Sequence, residues 1–328
     1  MLAERLDRLA PGHYTIPSVP EEVARHAQAL DTLQVGSSGK VGVLDLTFER
    51  RGGRTELTGH YQKTPLQIMR PLYYDPARPD LPYVCVMSAG AGVLQGDRYR
   101  LDVTCGAGAA VHVTTQTATK VYRMEQDYGT QLVRLTVGPG GYLEYLPDPV
   151  IPFAGSRFYQ RTQLTCDPGA TAIVAESMLA GRLARGERHA YTACCTDLSA
   201  HRPGGALLFA DPLRLVPGRF PVTGPAMFGE HGVLSTLYVI TQAVEADALA
   251  DALHEVVADS VAAGGVAADS GAAGGGLAGG ASTLPNGAGA WVRLLGPESP
   301  PVRATLDRLW DLARRLITGH PAPDRRRP

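Results

Sequence analysis

The sequence predicts a mainly β protein of stacked, repetitive β-sheet layers, β-helix-like or sandwich in type, with a few helices that are mostly C-terminal. Three observations carry that expectation. Runs such as Tyr99, Leu101 and Val103, interleaved with Arg100, Asp102 and Thr104, alternate with period two, as a strand with one buried face does. One turn also recurs: Thr104-Cys-Gly-Ala-Gly-Ala109 resembles Thr136-Val-Gly-Pro-Gly-Gly141 and Thr165-Cys-Asp-Pro-Gly-Ala170, with a looser copy at Arg202-Pro-Gly-Gly205. The equivalent positions 108, 140, 169 and 204 lie 32, 29 and 35 residues apart, each between two strand-like runs, so successive strand–turn–strand units can cover one another's apolar faces. Helical spacing, by contrast, is mostly C-terminal, with one short stretch near the N-terminus.

Length and composition set the bounds. The 328 residues admit one large domain or two, and 44% hydrophobic content suffices for a sizeable core. The expected organisation is an N-terminal extension with a short helix over 1–35, then one domain over 36–328 that carries a flexible Gly/Ala-rich loop insertion at 262–290. A net charge of −1 points to neither nucleic acid nor an anionic membrane surface. Arg182, Arg185, Arg188 and Arg325–Arg327 could form basic patches and are read first as solvated faces. No run reaches the ~18 apolar residues of a membrane span, and Met1–Leu30 has no apolar signal core. Five cysteines are an odd number and do not resemble a secreted disulfide framework. A cytoplasmic protein is expected.

Taken in order, the chain opens with Ser18-Val-Pro-Glu21, which offers a cap, a proline near the first turn and a capping-box glutamate. Val23, Ala27, Leu30 and Leu33 follow at helical spacing, predicting a short amphipathic helix, either a docking element or, the preferred reading, a surface cover. Val41–Leu57 reads as strand, Arg51-Gly-Gly-Arg54 turn and strand. Leu66–Tyr73 is extended, since prolines at 65 and 71 rule out a long helix. Tyr83–Met87 is a strand leading into the glycine-rich Ser88–Asp97. A phosphate-binding loop would continue into a helix, but Arg98–Thr104 is another strand, so these glycines serve a tight turn. Strand character persists to about Leu215. Within it Ala175–Arg188 could be helical, and Gly181 and Gly186 favour a bent extended run. Val233–Thr241 is a strand, Glu245–Ala258 a helix, Ala290–Leu295 a strand. Pro301–Leu316 is a helix with Val302, Leu306, Leu309, Trp310 and Leu316 as its apolar stripe.

The repeat makes a prediction about side chains. Laying the turns over one another puts Thr115, Pro147, Glu176 and Asp211 at one depth, and Gln116, Asp148, Ser177 and Pro212 one step beyond. Hydroxyl, amide and carboxylate groups would gather at one level of an apolar stack. These could be strand ends reaching solvent. However, Ala172–Ala175 and Ala206–Ala210 run apolar on both faces up to Glu176 and Asp211, as buried strands do. A carboxylate there is either paired or used.

Read for catalysis, the chain has no His-x-x-x-His pair, no Cys-x-x-Cys and no Gly-x-Ser-x-Gly elbow. His112, alone on a strand, reads as a packing residue. The best enzyme alternative is a carbohydrate-active hydrolase or lyase using Glu176 and Asp211 on a repetitive β scaffold, weakened by an aromatic content of only 6%.

Several blocks in sequence carry a family resemblance: Gly90-Ala-Gly-Val-Leu-Gln-Gly-Asp97, Thr114-Thr-Gln-Thr-Ala-Thr-Lys-Val-Tyr-Arg123, Leu143-Glu-Tyr-Leu-Pro147, Gly181-Arg-Leu-Ala-Arg-Gly-Glu187 and Trp291-Val-Arg-Leu-Leu-Gly296. On these the chain resembles the urease accessory protein family UreD, also called UreH. The resemblance implies a non-enzymatic chaperone or scaffold in maturation of the nickel enzyme urease. It implies apo-urease subunits as partners on one side and UreF on the other, with the GTPase UreG held through UreF. A second copy of the chain is a further candidate partner in that complex. No cofactor is expected to bind tightly, only a nickel ion in transit along an internal path. Carried over residue by residue, the path falls on Glu176 and Asp211, with Thr119, Thr115 and Asp148 as lining. Oxygen donors suit a metal that must move, because they hold a dication less tightly than a thiolate or imidazole cage. The Lys120–Arg123 block and Asp97 read as structural or interface residues. The chain departs from the family at Gln95, at Asp148-Pro149, at Ala175 and in its terminal Arg-rich tail.

Overall fold

In the computed structural model, which describes residues 7–28, 39–225, 227–268 and 276–324, the recurring turns sit directly on one another. The Gly108 amide donates to the Pro139 carbonyl at 2.9 Å, Gly138 to Cys105 at 2.8 Å, Asp167 to Val137 at 3.0 Å and Thr171 to Gly141 at 2.9 Å. Each coil is thereby bonded through its turn to the next. The polar groups that a turn would otherwise leave unpaired are satisfied by its neighbour.

The elements in chain order are α1 (Pro11–Tyr14), α2 (Glu21–Ala24), β1 (Val41–Arg51), β2 (Arg54–Lys63), β3 (Leu66–Gln67), β4 (Tyr83–Ser88), β5 (Arg98–Cys105) and β6 (Ala110–Thr115). Then come β7 (Thr119–Val121), β8 (Gly129–Val137), β9 (Tyr142–Tyr145), β10 (Val150–Pro152), β11 (Arg157–Cys166), β12 (Thr171–Leu179), β13 (Ala193–His201) and β14 (Leu207–Leu215). The chain closes with β15 (Val233–Ile240), α3 (Ala246–Ala268), β16 (Ala278–Thr283), β17 (Gly289–Gly296) and α4 (Ser299–Thr318).

Two sheets result. The first runs β14-β13-β11-β8-β5-β1-β2 and the second β16-β17-β15-β12-β9-β6-β4-β3, with β7 and β10 beside β12. The strands β1, β5, β8, β11 and β13 are parallel neighbours, as are β4, β6, β9 and β12. The architecture is therefore mainly β and solenoid-like, with its long helices C-terminal. The main core lies between the sheets and includes Phe48, Val103, Leu135, Tyr145, Phe158 and Val174. A second core joins the outer face of the second sheet to α3 and α4 through Ile173, Leu237, Leu253, Leu309 and Trp310. A small third one seats Ile16 and Val23 on the outer face of the first sheet, against Tyr159 and Val216.

Several local expectations are corrected. The helix predicted from Ser18 onward is only the four residues of α2, and residues 29–38, with Leu30 and Leu33, lie outside those described. It nevertheless covers a surface, since Val23 is fully buried. The stretch 262–290 is in part regular structure: α3 extends through Ala268, and β16 pairs with β17 from Ala278 to Thr283. Its small residues allow close approach, because a Cβ on Gly279 would lie 2.6 Å from the Arg293 carbonyl oxygen and 3.3 Å from a Val257 methyl. Residues 269–275 fall outside the description. Leu316, expected in the stripe of α4, is exposed, and the stripe continues through Ala313 instead. The fourth strand–turn–strand unit does not cross to the second sheet. Gly204 and Gly205 both take positive φ, and the Arg202 amide donates to the Ala206 carbonyl at 2.8 Å, a tight hairpin that returns β14 antiparallel alongside β13.

Candidate functional site

The inner faces of the two sheets carry apolar rows at most depths and polar rows at one. In the second sheet Val113, Tyr145 and Val174 share a depth. Two residues further on stand Thr115, Pro147 and Glu176, as the turn alignment places them, and the row continues through Thr236 of β15 to Arg293 of β17. In the first sheet, Tyr99, Gln131, Gln160 and Thr196 form a facing row across β5, β8, β11 and β13. Asp211 also faces inward, but from the first sheet and not from a fourth parallel coil.

Glu176 and Asp211 therefore come together from opposite walls. Both line one cavity of about 40 Å³, with Gln160, Thr196, Thr236 and Arg293 among the other walls. That volume accommodates a few waters at most. Thr162 and Gln160 donate to Glu176 Oε1, at 2.7 and 3.0 Å. Burial raises the Glu176 carboxyl above its ordinary value; these two bonds oppose the shift, and the charge of Asp211 adds to it. Asp211 accepts from the Tyr238 hydroxyl at 2.5 Å and from Arg293, which also forms its ion pair. Cys194 lines the same cavity, and burial pushes its thiol far up, so it is a neutral thiol there at neutral pH.

Thr115 and Thr119 lie apart from this pair. They line a second cavity of about 70 Å³ beside the glycine-rich Ser88–Val93, together with Tyr99, Gln131 and Tyr145. Tyr145, in the wall of this second cavity, has a fully buried hydroxyl raised by burial and then by the Glu176 charge. Asp148 lines neither cavity. Its backbone amide donates to the Thr115 hydroxyl at 2.8 Å, which fixes that side chain. Among the described residues no cluster of three or more His, Cys, Asp or Glu side chains is arranged to hold a metal ion.

The supporting groups Gln131, Gln160, Thr162, Thr196, Tyr238 and Arg293 were not predicted. A signal for two of them existed. In β11 the inward positions are Phe158, Gln160, Thr162 and Leu164, so two polar residues occupy slots where the alternation asks for apolar ones. Outside this level, His112 is a packing residue as expected: it bonds Glu144 at 2.7 Å and stacks on Tyr83 at 4.5 Å. Asp97 is structural, accepting from the Lys40 and Leu94 amides and the Tyr99 hydroxyl, each at 2.8 Å.

Comparison with known proteins gives a consistent answer. The family model described as UreD urease accessory protein matches residues 40–328. A urease accessory protein UreD 2 of Streptomyces griseus is 53% identical over 93% of this chain and 100% of its own length. The urease accessory protein UreD of Haloarcula marismortui is 40% identical over 92% and 95%. A urease accessory protein UreD 2 of Brucella suis is 36% identical over 92% and 96%.

Proposed function

We propose that this chain, which belongs to the UreD urease accessory protein family, acts in urease maturation as a non-enzymatic scaffold that passes nickel to apo-urease. In this reading it binds apo-urease on one side and UreF on the other, UreF carries the GTPase UreG, and the metal crosses between the two sheets. The setting proposed is the cytoplasm. All five cysteines are free thiols, which suits a reducing compartment, and no helix among the described residues is long and apolar enough to cross a membrane.

The observation that carries the proposal is the polar level inside an otherwise apolar stack. Oxygen groups line both cavities, Thr115 and Thr119 with Tyr145 in one and Glu176 and Asp211 in the other. Such a lining attracts a dication without caging it. Glu176 gives up its proton reluctantly and has no cationic partner among its bonds, so a dication would supply what its surroundings lack. Asp211, held by Arg293, would have to exchange that partner for the metal. The hydrolase alternative is disfavoured by size, since ligand pockets run to about 300–1,000 Å³ and the carboxylates share one of about 40 Å³.

The test is Glu176→Gln combined with Asp211→Asn, co-produced with apo-urease and the other maturation proteins. The double variant is expected to co-elute with its partners while urease acquires markedly less nickel. Full nickel loading by a folded, complex-forming double variant would contradict the path.

A further inference from the structure

A long open groove of about 680 Å³ lies where β7 and β10, the bend at 179–188 and the start of α4 meet. Two blocks singled out in the sequence and not used by the metal path converge there, Lys120 from one and Gly181–Glu187 from the other. The groove is basic on its rim and apolar on its floor. Lys120, Arg182, Arg185 and Arg188 face Glu298 alone among the acidic lining residues, on a chain whose net charge is −1. Glu187 is already committed, accepting from Nε and Nη2 of Arg182 and from the Ala154 amide at 3.3 Å. Among the described residues Lys120, Arg185 and Arg188 have no salt bridge; Arg188 donates only to the Glu230 carbonyl, at 2.8 Å.

The shape is held in place. Gly181 has φ of +148°, and a Cβ there would lie 2.7 Å from the Glu187 carbonyl oxygen, so the two limbs of the bend touch. The Arg182 guanidinium lies 4.4 Å from the centre of the Phe153 ring. Phe153 and Leu183 are half-buried in the floor. The groove is not built as a phosphate cradle. The first turn of α4 begins Ser299-Pro300-Pro301, and the two prolines remove amide donors that an anion at a helix start would use. The cations are instead spread along an open trough, which matches carboxylates spaced along an extended chain.

We propose that this groove docks an acidic, extended segment of a protein partner, with carboxylates on the rim cations and an apolar side chain over Phe153 and Leu183. The inference requires a protein partner and so rests on the assembly reading, but it is independent of nickel passage.

The experiment places the photo-crosslinking residue benzoylphenylalanine at the exposed Ala184 of the full chain. The protein is then irradiated with purified apo-urease and each purified accessory partner in turn, without nickel. The expected result is a crosslink to a partner segment rich in Asp and Glu. Arg185→Glu with Arg188→Glu is expected to weaken that partner at least about tenfold and to flatten its salt dependence. Both side chains are exposed, so circular dichroism should be unchanged. A crosslink to a second copy of the chain, to a neutral or basic segment, or unchanged affinity in the charge-reversed variant would overturn the proposal. A chain that binds partners but crosslinks elsewhere refutes the groove alone, whereas a folded chain that binds no maturation partner refutes the assembly reading.

Discussion

Replacing Arg314 by Met tests how the C-terminal helix is held to the sheets. Arg314 is fully buried under α4, where it pairs with Asp75 and lies 3.8 Å from Glu144, and it donates to the Tyr83 hydroxyl at 2.6 Å. Asp75 is 2% exposed and Glu144 0%. Removing the cation strands two carboxylates out of water, a mechanism that destabilises by about 3–5 kcal/mol. The acid side reports the whole environment of Glu144, of which Arg314 is one part, after the two His112 contributions. Burial alone would raise Glu144, but the His112 bond, the His112 charge and Arg314 together bring its carboxyl from 4.5 to about 2, a displacement equivalent to about 3 kcal/mol. Because the folded value is the lower one, the unfolded chain takes up the proton first. That stabilisation is therefore complete above pH 4.5 and lost as the pH falls towards 2. The gap between wild type and variant should be widest near neutral pH and narrow below 4.5. Urea unfolding followed by tryptophan fluorescence reads it directly, since the chain has two tryptophans and Trp310 lies 5.3 Å from His112. The neighbouring, exposed Arg315→Met should lose no more than about 0.5 kcal/mol. A loss below about 1 kcal/mol in Arg314→Met at neutral pH, or a gap that does not narrow in acid, would refute the reasoning.

Two further outcomes follow from buried or strained groups. Burial, with Arg188 nearby, lowers the His189 ring to about 4, so it stays neutral in the fold while the unfolded chain protonates at 6.5. Stability should therefore fall between pH 6.5 and 4, and His189→Asn, which tolerates the observed φ of +50°, should flatten that slope in urea midpoints measured against pH. Gly181→Ala should cost about 1–3 kcal/mol through its backbone conformation alone, visible as a lowered Tm; an unchanged Tm would show that the bend can relax.

The parts of the fold written locally were legible. Alternation gave β5, and the repeated turns predicted that coils would stack, because both depend on residues within a few positions of one another. The alignment of turns even put Thr115, Pro147 and Glu176 at one depth. What failed depended on distance in sequence or on a choice between equal local options. Nothing around Arg202–Gly205 says whether the following strand crosses to the other sheet or folds back, yet that choice decides from which wall Asp211 approaches. Its ion pair with Arg293 joins residues 82 apart. The Ala- and Gly-rich stretch looked unable to bury a core, but packing against β17 needs small residues, and Gly279 fits there because it has no side chain.

The contrast between Glu144 and Glu176 separates structure from candidate function. They lie on adjacent parallel strands, β9 and β12, of one sheet, and project from opposite faces of it. Glu144 accepts from His112 and Tyr142 with Arg314 close by, and its carboxyl is drawn down to about 2. That carboxylate is already paired, and a dication would have to compete with Arg314, His112 and Tyr142 for it. Glu176 has a hydroxyl and an amide as partners and two other acids as its electrostatic neighbours, and its carboxyl is driven up. Burying a carboxylate without a cation is unfavourable, and the fold could have avoided it with glutamine at no loss of shape. On the proposed nickel path, a cation arriving beside Glu176 would relieve that penalty, whereas Glu144 already has its partners.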